Sequence, residues 1–170
     1  MEEEKTLLNA TLCFLIRGSE ILLGFKTQKI GKGCWNGYGG GIEPGESPKQ
    51  ATIRELGEEA GVVVSPEHLN KVAIIDFHNT KTDGSSFVCK VHVYLASEWS
   101  GKLKNTDTII NPTWFDKKHL PIDEMMPADK VWLPIILDGK KITAKAKYGP
   151  FQKALIGEVE IKEVSFLLDD

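Results

Sequence analysis

The run GGIEPGESPKQATIRELGEEAGV, Gly40 to Val62, decides how this chain is read, because a helix with marked ends sits inside it. Ser47 is placed to cap the helix, Pro48 takes the first helical position, and Gln50 completes a reciprocal capping box with Ser47. Gly61 supplies the left-handed residue that ends it. A helix from Pro48 to Ala60 is therefore predicted. At about 100° per residue, Ile53, Leu56 and Ala60 share one side, and Glu55, Glu58 and Glu59 fall on nearly the opposite one. The three carboxylates are then neighbours, and each like-charged pair costs roughly a few tenths of a kcal/mol in water. Arg54 reaches Glu58 one turn on and offsets only part of that charge. A divalent cation removes the repulsion, and hard carboxylate oxygens suit Mg2+ or Mn2+. Bare glutamates on a helix are more often a solvated face. Here they follow GYGGG, Gly37 to Gly41, whose missing side chains let backbone approach a ligand, and Glu46 adds an acid upstream.

Outward from this stretch, Thr6–Ile16 and Ile21–Phe25 read as a hairpin of largely buried strands about the turn Arg17-Gly18-Ser19. A glycine-rich loop, Gly31 to Gly45, leads into the helix. Downstream, Val72–Phe77 and Phe87–Ala96 read as strands and Pro112–Phe115 as a short one. Asp129–Leu137 carries Val131, Trp132, Ile135 and Ile136 at helical spacing, with Pro134 inside it fitting the first turn or a kink. Lys141–Tyr148 and Glu158–Phe166 are strand-like. Strands interleaved with two helices predict a sheet covered by helices on its faces. Trp35, Trp114 and Trp132 are read as packing residues.

A chain of 170 residues with 41% apolar and 26% charged residues suits one globular domain, 1–170. The net charge of −3 and a pI near 5.8 argue against a nucleic acid polymer as partner, since phosphate neutralisation needs a basic face. A single nucleotide stays open, because a metal and a lysine or two offset its charge. Cys13, Cys34 and Cys89 are odd in number and lack a CxxC pair, which suits reduced thiols better than a disulfide framework or a zinc site. The start, MEEEKTLLNA, is acidic and unlike a secretory signal or transit peptide, and no apolar run nears the roughly 20 residues of a membrane helix. A cytoplasmic monomer without a membrane partner is expected.

The quoted stretch matches the pattern G-x5-E-x7-REU-x-EE-x-GU at every fixed position: Gly40, Glu46, Arg54, Glu55, Leu56, Glu58, Glu59, Gly61 and Val62. The chain thus resembles the Nudix hydrolase superfamily, with residues 40–62 as its Nudix box. That resemblance implies an α/β fold, an α/β/α sandwich around a mixed β-sheet. It also implies a Mg2+-dependent pyrophosphohydrolase acting on a nucleoside diphosphate linkage, with Mn2+ as a substitute. Glu55, Glu58, Glu59 and the Gly39 carbonyl would bind metal. Arg54 would orient the glutamates, Glu46 would support the loop and helix, and Glu58 or Glu59 would assist as base.

Outside the box, ILLGFK, GKGCWNGYGG, PTWF, MPADKVWLPIIL and KKITAKAKYG are similar to the MutT-type oxidised purine nucleoside triphosphate diphosphatases of animals. This implies hydrolysis of a purine nucleoside triphosphate such as 8-oxo-dGTP to the monophosphate and pyrophosphate. Asn36 would hydrogen-bond the purine, Lys26 and Thr11 would line its sugar and phosphate side, Phe77 would pack on the base, and Asp129 would read its polar edge. Met126 stands where that family stacks a tryptophan. As residues alone, Asn36 serves a turn equally well, Phe77 is a core residue, Thr11 a strand residue, Lys26 a solvated lysine and Asp129 an acid at a helix N-terminus. The chain departs from the animal pattern at Ala128, where the first of two adjacent aspartates is usual. It departs again at Ile109 and Ile110, where an acid usually aids the metal and only Asp107 is near. Losing one of two buried polar readers costs about 1–3 kcal/mol of base discrimination. Two other readings stay open: hydrolysis of a nucleotide sugar, dinucleoside polyphosphate or NADH, and a nucleotide sensor without catalysis, against which the intact box glutamates weigh.

Overall fold

The structure is a computed structural model that describes residues 4–168; residues 1–3 of the acidic start and 169–170 of the tail lie outside the described residues. Strands β1 (Asn9–Arg17) and β2 (Glu20–Lys26) form the expected hairpin, closed at Gly18 with φ of 57°. The elements that follow are β3 (Trp35–Asn36), β4 (Tyr38–Gly41), α1 (Pro48–Glu55), β5 (Val62–Val63), β6 (Asn70–Thr80) and β7 (Ser86–Ala96). After them come β8 (Ser100–Gly101), β9 (Ile109–Asp116), α2 (Asp129–Leu137), β10 (Lys141–Tyr148) and β11 (Glu160–Val164). The main sheet runs β11-β10-β6-β7-β1-β2-β3, with β4 beside β1 and β9 beside β2. It is mixed: β1 pairs with β7, and β6 with β10, in parallel, and the other pairs are antiparallel.

Side-chain alternation along β1 divides the interior in two. Cys13 and Leu15 join Leu22, Tyr38, Leu56, Ala60 and Ile109 on the α1 side. Ala10 and Phe14 join Phe77, Met126, Trp132, Leu133 and Ile136 on the α2 side. A helix thus covers each face, as the patterning required. Trp132 is fully buried, with its ring edge on Phe14 at 6.1 Å between centroids. Cutting such a side chain back to alanine costs about 3–5 kcal/mol, enough to threaten a domain of ordinary stability. Trp35 also packs, edge-on to Phe25 and Phe115, and Trp114 stacks on Trp99.

Several expectations are corrected, and one is that the strand expected to be short at Pro112–Phe115 runs Ile109–Asp116. The stretch 31–45 is not all loop, because β3 and β4 lie within it. Glycine makes this possible: a Cβ on Gly39 would lie 1.9 Å from the Thr11 carbonyl oxygen, so only a bare backbone fits so tightly against β1. The helix after it is α-helical only to Glu55, and Leu56–Ala60 forms a π turn. The last strand is shorter than Glu158–Phe166, spanning Glu160–Val164. The bounds of α2 are as expected, with Pro134 accommodated inside it.

Candidate active site

The helix start is built as the sequence indicates. Ser47 Oγ accepts from the Gln50 N–H at 3.1 Å, and Gln50 Oε1 accepts from the Ser47 N–H at 2.9 Å. Thr52 pins α1 to the sheet, since its hydroxyl and that of Thr11 share a hydrogen bond. Beyond Glu55 the backbone widens, and the Gly61 N–H reaches back five residues to the Leu56 carbonyl, with Gly61 at φ of 77°. Such turns recur at functional sites. Here the helical-wheel arithmetic stops at Glu55, and the widened turn sets the direction of Glu58 and Glu59. Leu56 and Ala60 remain wholly buried as its anchors.

Arg54 is the hub. All five of its N–H donors are engaged. Nε and Nη2 clamp the two oxygens of Glu46 at 2.8 and 2.9 Å, and Nη2 also donates to the Gly41 carbonyl at 2.9 Å. Nη1 donates to Glu55 at 3.0 Å and Glu58 at 3.3 Å. A planar fork matched to a carboxylate is the strong form of this contact. The Arg54 bond holds the Glu46 carboxyl below its usual range, and Glu46 in turn pushes the guanidinium further up. Glu46 also accepts from the Glu43 N–H at 2.9 Å, so one acid ties the loop to the helix.

The remaining acids differ in surroundings. The Glu55 side chain is 12% exposed and that of Glu58 60%. Gly40 gives Glu55 its space, since a Cβ there would lie 2.5 Å from Glu55 Oε1. Burial pushes the Glu59 carboxyl up, Glu55 adds to the rise, and Lys26 and the Thr108 hydroxyl oppose it. Burial likewise lowers the Lys26 ammonium, with Glu59 working against that. Lys26 therefore lies with the acids and is not a merely solvated lysine. Among the described residues, no group of three or more His, Cys, Asp or Glu is already gathered as a metal cage. Arg54 uses one oxygen each of Glu55 and Glu58, which holds them round the guanidinium. The donor set nonetheless fits a hard divalent cation, because Glu55 and Glu59 repel each other and the available ligands are all oxygens. Ile109 is buried in the core beneath α1, and Asp107 offers its backbone carbonyl to Thr27 and Gln28.

A second group forms on the α2 side. Phe77 and Met126 are buried in that core, and Asp129 is 7% exposed. Asp129 Oδ1 accepts from Trp132 Nε1 at 3.1 Å. Burial lifts its carboxyl to about 7, against the pull of that bond. A backbone bridge between Trp35 and Met125 draws the Asn36 strand to the segment before α2. Asn36 Nδ2 donates to the Cys34 carbonyl at 3.2 Å, which is the turn-forming role, and leaves the rest of its amide for other contacts. Thr11 is not brought to this group. It is 3% exposed, faces α1, and spends its hydroxyl on Thr52. The short β3–β4 stretch connects the two groups, with Asn36 at one end and Gly40 against Glu55 at the other. Sequence reasoning missed Thr108 beside Glu59 and Tyr148, whose hydroxyl accepts from the Ala128 N–H at 2.8 Å. Neither residue carries a local signal, because each acts through a distant strand.

Comparison with known proteins identifies the family. The NUDIX domain family matches residues 6–135. The oxidized purine nucleoside triphosphate hydrolases of Danio rerio and Mus musculus are each 33% identical over 138 residues, covering 81% of this chain and 85% of theirs. Among solved structures, the MutT protein of Bacillus halodurans superposes with a TM-score of 0.74 at 22% identity, over 91% of this chain and 97% of that one. At that identity the likeness is one of fold. The family match and the animal relatives go further, and together with the box acids set around Arg54 they make this chain a member of the Nudix family and a Nudix pyrophosphohydrolase.

Proposed function

We propose that this protein hydrolyses a purine nucleoside triphosphate, 8-oxo-dGTP among them, to the monophosphate and pyrophosphate with Mg2+ as cofactor and Mn2+ as substitute. The observation that carries the reading is the acid cluster organised by Arg54 beside Lys26, in a chain whose animal relatives are named oxidized purine nucleoside triphosphate hydrolases. Glu55, Glu58, Glu59 and the Gly39 carbonyl hold the metal. Bound Mg2+ supplies charge neutralisation at the diphosphate and a water of lowered pKa. Arg54 fixes Glu55 and Glu58, and Glu46 fixes Arg54, so the carboxylates are placed before substrate arrives. Glu58 or Glu59 takes the proton of the attacking water, and Lys26 offsets phosphate charge.

At the other end, Phe77 and Met126 pack on the base and Asn36 hydrogen-bonds it. Asp129, raised to about 7 by burial, is partly protonated near neutral pH and so donates to a purine acceptor. Thr11 serves the site only by pinning α1, which carries the box acids, and not by lining the sugar. Residues 1–170 work as one Nudix domain, as a cytoplasmic monomer on free nucleotides and not on a nucleic acid polymer. The deciding experiment is a Mg2+-dependent screen against canonical and oxidised nucleotides, nucleotide sugars and dinucleotides, with products identified. Purine triphosphates giving monophosphate and pyrophosphate are expected. Turnover confined to nucleotide sugars or dinucleotides would overturn the substrate. Asn36→Ala should raise KM for purine triphosphates more than for a pyrimidine, and equal effects would defeat its role at the base.

A further inference from the structure

Tyr148 closes β10 and is 1% exposed, yet it touches both halves of the α2-side group. Its ring stacks on Phe77 with centroids 5.9 Å apart and planes 25° apart. Its hydroxyl accepts the Ala128 N–H at 2.8 Å. Ala128 stands at the head of α2, where no side chain of the helix supplies a cap, and the next residue is Asp129. A phenylalanine would fill the same space without needing a partner, so the hydroxyl has a use beyond packing.

The chain after Tyr148 is fastened to the same place. In the turn Pro150–Gln152, Phe151 and Gln152 hold positive φ of 57° and 55°, a backbone state that side chains resist. Gln152 Nε2 donates to Asn79 Oδ1 at 2.8 Å, and Asn79 Nδ2 donates to the Phe77 carbonyl at 3.0 Å. Tyr148 is thereby held against Phe77 by its ring and by its sequence neighbours. The orientation of Asp129 depends on the backbone at Ala128, and Trp132 fixes only one of its oxygens.

We propose that Tyr148 is a positioning residue for base recognition, backing Phe77 with its ring and holding Ala128 with its hydroxyl so that the Asp129 carboxyl faces the nucleobase. This rests on the assignment of Phe77 and Asp129 to the base made above. Groups that hold a recognition element in place act on binding geometry, and their loss appears in KM before it appears in chemistry at a distant metal.

The test is Tyr148→Phe in the full chain, assayed with Mg2+ against dGTP, 8-oxo-dGTP and a pyrimidine triphosphate, beside Asp129→Asn and the double variant. Tyr148→Phe is expected to raise purine KM about tenfold, one hydrogen bond's worth of placement, with kcat within about twofold and pyrimidine KM unchanged. The double variant should be worse than Asp129→Asn by less than that factor, since both act through one carboxyl. If Asp129→Asn raises purine KM and Tyr148→Phe does not, or if Tyr148→Phe raises purine and pyrimidine KM alike, the role of Tyr148 is refuted and the base site stands. If neither substitution moves purine KM, the base site falls and takes this role with it. Amide hydrogen exchange on the unaltered protein gives a second measurement should the variant fail to fold. A non-hydrolysable purine triphosphate is expected to slow exchange at Ala128, and unchanged exchange on binding would refute the coupling.

Discussion

Gly40→Ala tests whether the position of Glu55, and not merely its charge, matters. The added Cβ would lie 2.5 Å from Glu55 Oε1, 2.8 Å from its Cδ and 3.1 Å from Oε2. Non-bonded heavy atoms settle near about 3.5 Å, so the carboxylate must retreat by about 1 Å. Its 3.0 Å bond from Arg54 then stretches towards about 4 Å, which is no longer a hydrogen bond. A misplacement of that size in a catalytic group costs about a hundredfold in rate, or about 2.7 kcal/mol of barrier. Folding should lose about 1–2 kcal/mol, which an ordinary domain survives, because only the end of a flexible side chain gives way and Gly40 does not have a positive φ. Gly39→Ala is the contrast: its Cβ would meet the Thr11 carbonyl oxygen at 1.9 Å, backbone that cannot retreat without breaking the β1–β4 pairing. Steady-state kinetics on a purine triphosphate at saturating Mg2+, with melting temperatures measured alongside, separate the two. Gly40→Ala should be folded and slow, and Gly39→Ala should not fold. Wild-type kcat in Gly40→Ala, or a stable and active Gly39→Ala, would refute the reasoning.

Other substitutions probe the same parts. Glu58→Gln and Glu59→Gln should each lower kcat by at least about a hundredfold, and each should shrink the rise in melting temperature that Mg2+ produces in the unaltered protein. An undiminished Mg2+ response in both variants would remove them from the metal site. Arg54→Lys keeps the charge but loses the fork to Glu46 and the bond to Gly41, and should destabilise the protein by about 1–3 kcal/mol as read by denaturant unfolding; an unchanged midpoint would mean the clamp is idle. Asp129 has a folded pKa raised to about 7, so the stability tied to its proton is fully present below about pH 4 and is lost as pH rises through 7. Asp129→Asn should therefore gain on the unaltered protein between pH 5 and 8, by at most about 4 kcal/mol, and a melting-temperature difference that stays flat with pH would show the carboxyl is not buried.

Much of the fold was legible because its signals are local. The Ser47–Gln50 capping box, the period-two strands and the bounds of α2 each sit within a dozen residues and lie where the sequence indicated, but the buried face of α2 is Trp132, Leu133 and Ile136, with Val131 turned outward. What could not be read depends on neighbours remote in the chain. The strands within 31–45 exist because β1 accepts Gly39 at close range, a fact about two segments together. The π turn is set by how Leu56 and Ala60 seat in the core, which no helical wheel reports. The acids around Arg54 were legible from the box pattern. The turning of Thr11 towards Thr52 was not, since a one-residue parity decides which face a strand residue takes.

The widened turn from Leu56 to Gly61 has a consequence for length variation. A π turn holds one residue more than regular winding over the same hydrogen-bonded closure. Delete that residue, and the helix can wind regularly, but every later side chain swings about the axis by about 100°. Glu58 and Glu59 would then part from Arg54 and Lys26 with no acid having been mutated. Descendants of this gene are therefore free to exchange the solvent-facing residues of the segment, but not to gain or lose one, and the residue count is itself inherited as part of the catalyst.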